Sequence, residues 1–167
     1  MSSSRPPRTS RSTYDRALDL LAARARGQTE LRRLLLRKGE PEADVDAAIE
    51  RLSAAGLLDD TNFARQLTRS KALGAGASKR RIAQELSRRG VDRDVASRAI
   101  ADVFDEEEID EADSIERIAR KKLRLLAGVD AATQRRRLYG HLARRGYDLD
   151  AIQRVLQLVM ADDSELS

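Results

Sequence analysis

The stretch "LSRRGVD", residues 86–92, ends one helix, turns on a glycine and opens the next, and its reading decides the fold. An apolar anchor, two arginines, a glycine, an apolar residue and an acid would suit a DNA-reading helix-turn-helix. The pattern recurs, however: "LLRKG" ends at Gly39, and "LARRG", followed by "YD", ends at Gly146. Four residues before each glycine stand Leu35, Leu86 and Leu142, and eight before it Leu31, Ile82 and Leu138. These i, i+4 pairs make one apolar stripe on a helix. Positions six, ten and thirteen beyond the glycine are Val45, Ile49, Leu52; Ala96, Ile100, Val103; and Ile152, Leu156, Val159, so a second helix faces the same core. The cations just before each glycine complement the helix dipole, and the glycine supplies a left-handed C′ residue.

Each hairpin has an upstream helix: Tyr14 to Arg26, Thr61 to about Leu73, and about Ala112 to Leu126. Asp92 and Asp148 are expected as N-caps, with Pro41 in the corresponding first turn of the first copy. Asp59, Asp60 or Thr61 caps the helix after "AAGL", and Ser78 caps the basic helix after "LGAGA", a flexible connection. The acidic "FDEEEIDEAD", residues 104–113, is a loop or the acid-rich start of a helix. The expected organisation is a disordered basic arm (1–13), three-helix units over 14–58, 59–107 and 108–162, and a tail (163–167). The fold class is all-α, three tandem three-helix repeats in an elongated, curved, solenoid-like body of roughly 60 to 70 Å if helices pack about 9 Å apart.

Composition bounds the function. Charged residues are 36% of the chain and aromatics 3%, so Leu, Ile, Val and Ala must build the core. Without cysteine there are no disulfides, thiolate metal sites or cysteine nucleophiles. No long uncharged apolar run is present, and the expectation is a cytoplasmic monomer that does not engage membranes. His141, the one histidine, has no acid or nucleophile beside it in sequence. The acids at 59–60 and 105–113 have no ligand-spaced partner, and "GAG" at 74–76 follows a helix. The expectation is no metal, no cofactor and no catalysis.

The second helix of each hairpin starts with carboxylates, which repel DNA phosphate where a groove reader would need donors. The candidate partner-binding residues are instead the cations of the preceding helices: Arg69, Lys71, Lys79, Arg80, Arg81, Arg88, Arg89 and the triplet Arg135, Arg136, Arg137. Cations early in a helix oppose its dipole, so Lys79 to Arg81 and the triplet need another reason to be there. An acidic protein face or phosphate would each supply it.

The stretch from Gly56 to Asp92 resembles the RecX family of recombination regulators. The family's GL-x-DD-x-x-FA segment, later arginine, glycine-led loop and I-x-x-EL-x-x-[KR]-G segment fall on Gly56, Leu57, Asp59, Asp60, Phe63, Ala64, Arg69, Gly76, Ile82, Glu85, Leu86, Arg89, Gly90 and Val91. The likeness spans about residues 14 to 160. It implies a non-enzymatic antagonist that lies on the RecA–single-stranded-DNA filament and blocks RecA ATPase, strand exchange and the coprotease activity behind the SOS response. On this reading RecA filament is the partner, and DNA alone is bound at most weakly. The competing reading is a helical protein that grips DNA without sequence preference.

Overall fold

The computed structural model describes residues 11–165, and the first ten residues of the expected arm lie outside them. The order is α1 (Thr13–Ala23), α2 (Gln28–Arg37), α3 (Glu42–Ala54), α4 (Asp60–Arg69) continued by a π-helical turn (Ser70–Gly74), α5 (Lys79–Arg88), α6 (Arg93–Glu106), α7 (Glu111–Arg124), α8 (Ala131–Arg144) and α9 (Leu149–Glu165). No strand occurs among the described residues. The all-α, three-by-three organisation is therefore as the sequence pattern dictates. Of the described residues, those up to Phe63 form one compact body and those from Ala64 a second.

In the first body, α1 starts one residue before the expected Tyr14. Ser12 accepts from the Asp15 N–H while the Asp15 carboxylate accepts from the Ser12 N–H, a reciprocal cap. The helix ends at Ala23, short of the expected Arg26, because Arg24 is fully extended and Arg26 turns its Nε back to the Leu20 carbonyl. Ala17, Leu31, Leu35, Val45, Ile49, Leu52 and Leu58 make the core. Glu40, the residue after the first turn glycine, is buried, paired to Arg16 and bonded by the Thr13 hydroxyl at 2.6 Å. Asp59 caps α4 through the Asn62 N–H, whereas Asp60 accepts from the Gln28 N–H at 2.7 Å and steadies the start of α2. Pro41 sits at the N-cap of α3, one place ahead of the first turn.

The caps of the second body are Ser78, Asp92, Asp110, Asp130 and Asp148, each accepting from backbone N–H groups of the helix it opens. The acidic stretch divides: α6 runs through Glu106, and α7 starts at Glu111 after a short loop. Ile115, Ala119, Leu123, Leu126, Leu138, Leu142, Tyr147, Ile152, Val155, Leu156 and Val159 form the core of the third unit. Four helices, α2, α3, α5 and α6, close with a bond from the residue beyond C′ back five positions: Glu40 to Leu35, Leu57 to Leu52, Val91 to Leu86 and Ile109 to Phe104. This is the Schellman closure, and it explains positive φ at Gly39, Gly56 and Gly90. At α6 the left-handed residue is Glu108, φ 50°, where a glycine would be unstrained.

The second and third units are locked together inside this body. The segment expected as a flexible connection is in fact pinned: the Ser78 N–H donates to the Arg145 carbonyl at 3.0 Å, Arg145 Nε to the Ala75 carbonyl, and the Tyr147 hydroxyl to the Gly76 carbonyl. Two glycines permit this approach. A β-carbon on Gly146, φ 89°, would stand 2.5 Å from Arg81 Cβ, and one on Gly76 would overlap Ile118.

Candidate partner-binding surface

The ten cations singled out in sequence fall into two groups once their surroundings are known. Arg69 pairs with Glu106, the last residue of α6, and with Glu107, its C-cap. Lys71 Nζ lies 3.1 Å from Glu85, and Arg89 reaches the same carboxylate one turn away at 3.1 Å. Burial alone would raise the Glu85 pKa, but the hydrogen bonds from Lys71 and Arg89 outweigh it and hold the carboxyl below its ordinary range. Arg80 donates from Nε to the Gly146 carbonyl at 3.0 Å and from Nη2 toward the Tyr147 carbonyl, tying α5 to the turn between α8 and α9. Lys79 gives its backbone N–H to Glu111 and rests its ammonium 4.8 Å above the Phe104 ring. Five of the ten are thus engaged in holding the second body together.

The other five differ. Arg88 and the triplet Arg135, Arg136 and Arg137 are exposed, Arg81 is half-buried beside Gly146, and none of the five forms an ion pair among the described residues. Sequence reasoning missed Arg65, which bridges Asp102 and Glu106 and anchors α4 to α6. That bridge holds the Glu106 carboxyl below its usual pKa. The only signal for it was the acid-rich end of α6, whose partner lies about forty residues back in the chain.

The residues of the family motif have structural posts. Phe63, Ala64, Ile82 and Leu86 are buried, Glu85 joins α5 to the π-helical turn through Lys71, and Gly56 and Gly90 end helices with positive φ. Asp60 has its pKa raised by burial against the opposing pull of the Gln28 bond, with Asp59 adding to the rise. His141 is lowered by burial and then by Arg145, Lys122 and Arg144 around it, so it stays neutral near neutral pH in a cationic setting. No metal-holding group of three His, Cys, Asp or Glu occurs among the described residues. None of their helices is long and apolar enough to cross a membrane.

Comparison with known proteins bears on the whole length. Family models for the first, second and third three-helix domains of RecX match residues 14–52, 59–100 and 108–156. The regulatory protein RecX of Mycobacterium avium is 40% identical over 167 residues, covering 96% of this chain and 94% of that one. That of Amycolatopsis mediterranei is 43% identical over 129 residues, 77% of this chain and 72% of the relative. The crystal structure of RecX from Lactobacillus salivarius superimposes with a TM-score of 0.69 at 20% identity, covering 89% of this chain and 95% of that chain. A second crystal structure, of a regulatory protein RecX, also gives 0.69 at 20% identity, over 86% of this chain. At that identity the structural likeness speaks for the fold alone.

Proposed function

This chain belongs to the RecX family, and from that premise we propose that it is a non-enzymatic regulator that binds the RecA–single-stranded-DNA filament and restrains RecA, and with it the SOS response. The observation that carries the reading is the match of all three three-helix domains, in order, on one chain. The mechanism is one of binding, not chemistry. Tandem copies of one hairpin offer related surfaces at several points, which suits a partner that is itself a repeat of identical protomers.

The contacts we assign to the RecA protein face are Arg81 and Arg88 of α5, which form no ion pair among the described residues. Arg69, Lys71, Arg80 and Arg89 serve the internal structure, so charge reversal at Arg80 disturbs the joint between units as well as any partner. The test is the single-stranded-DNA-dependent ATPase of a RecA protein with the full chain added below one per protomer. Inhibition at such ratios, weakened in R81E/R88E with unchanged circular dichroism, supports the reading. An ATPase indifferent to the wild-type chain overturns it.

A further inference from the structure

The internal ion pairs redistribute the charge that the sequence displays. From Arg117 to Arg145 there are ten lysines and arginines and one acid, Asp130, in a chain whose net charge is +4, so the remainder of the molecule is net negative. Asp130 is spent as the cap of α8, accepting from the Thr133 N–H. Of the ten cations, Arg120 alone forms ion pairs among the described residues, to Glu116 and Asp162. From Arg117 onward the α7–α8 hairpin therefore carries mostly cations without an ion-pair partner among the described residues, and after burial, the larger cause, Arg145, Lys122 and Arg144 add to the lowering of the His141 pKa within it.

Isolated surface arginines are commonplace, but this cationic stretch also exposes an aromatic ring. Tyr139 is 43% exposed, and it follows Arg136 by three positions and Arg135 by four, which on a helix places all three on one side. The buried residues of α8, Gln134, Leu138 and Leu142, form the adjoining stripe, so the three stand on the flank beside it. A flat ring one turn along the same flank from two guanidinium groups that form no ion pair among the described residues matches a chain that alternates charge with planar bases: cations take the phosphates and the ring takes a base. An acidic protein face would also take the cations, but it offers no regular alternation of charge and planar ring. We infer that Arg135, Arg136 and Tyr139 of α8 form a seat for single-stranded nucleic acid, sequence-tolerant and weak by itself. This goes beyond the RecA reading and stands or falls without it.

The test is fluorescence anisotropy of a labelled single-stranded DNA oligonucleotide with the full chain, titrated at several salt concentrations and with no RecA present. If Arg135 and Arg136 each neutralise one phosphate, R135Q/R136Q lowers the slope of log K against log salt by about 1.4 and weakens binding roughly 25-fold at 0.1 M salt. Glutamine is nearly as good a helix former as arginine and both sites are exposed, so the fold is retained and circular dichroism verifies it. Tyr139→Ala is expected to weaken binding about fivefold while leaving the salt slope unchanged, since one stacked base is lost but no counterion is released. R81Q/R88Q serves as the control and should bind as the wild type. Undiminished affinity in R135Q/R136Q, an equal loss in R81Q/R88Q, or displacement of the strand by polyglutamate at equal charge each overturns the proposal, the last by making this flank of α8 a seat for acidic protein.

Discussion

Substituting Gly146 by alanine tests whether the second and third units are truly fitted to each other. Two costs apply. The residue has φ 89°, a left-handed conformation that disfavours a side chain by about 1 kcal/mol. The new methyl group would also lie 2.5 Å from Arg81 Cβ, 2.7 Å from Ser78 Oγ and 3.2 Å from Arg81 Cα. Neither Arg81 atom is the free end of a flexible side chain, and moving Ser78 gives up the cap of α5 and the bond to the Arg145 carbonyl. Overpacking of this kind costs about 1–3 kcal/mol, so the total is about 2–4 kcal/mol. Gly128 supplies the reference: it lies in the same body with φ 83°, and a methyl group added there would meet nothing within 4 Å, so Gly128→Ala should cost only the conformational part, about 1 kcal/mol. Urea unfolding followed by circular dichroism measures both, and hydrogen exchange at the Ser78 amide reports the joint locally. If the two variants agree within about 0.5 kcal/mol, the tight fit between α5 and the end of α8 is wrong.

Three further outcomes are expected. Glu108→Gly should stabilise the protein by about 0.5–1 kcal/mol in the same urea assay, because it relieves a left-handed non-glycine residue at an exposed helix end; a loss of stability would mean that the Glu108 side chain is needed there. Burial, reinforced by Glu111 and opposed by Arg145 and Arg117, pushes the Tyr147 hydroxyl up to about 12 from an unfolded value near 10. Its protonated form is thus favoured by folding, a contribution intact below pH 10 and lost as pH rises through 12, on the order of 2–3 kcal/mol; Tyr147→Phe should lose less stability across that window, and parallel alkaline melting curves would refute the assignment. Leu86→Ala, at a side chain with no exposed surface, should cost about 2–4 kcal/mol, read from the urea midpoint; a loss under about 1 kcal/mol would show that the site collapses around the missing atoms.

The helices, their order and most of their caps were legible because each rests on residues close in sequence. The apolar stripes, the glycines after basic helix ends, and Ser78, Asp92 and Asp148 as caps are all local signals, and all are found in place. The ends of α1 were less legible, since Arg26 folds back on Leu20 in place of continuing the helix. The candidate surface was legible only in outline. Lys71, Arg69 and Arg80 look like free cations in sequence, but the groups that bind them, Glu85, Glu107 and the Gly146 carbonyl, arrive through packing of distant segments. In sequence Tyr139 is one of a few scattered aromatics, and only its exposure and its neighbours on α8 set it apart.

The residue after each turn glycine is buried in all three hairpins, yet it is Glu40 in the first, Val91 in the second and Tyr147 in the third. Glu40 needs Thr13 and Arg16 of α1, and Tyr147 needs the Gly76 carbonyl. Near-identical tandem units are prone to exchange elements while folding, and each exchange here meets a lock cut for another key. A misplaced first hairpin would bury a carboxylate without its partners, an error costing several kcal/mol. The similarity of the hairpins makes the architecture repeatable, while the difference at this one position gives each hairpin an address.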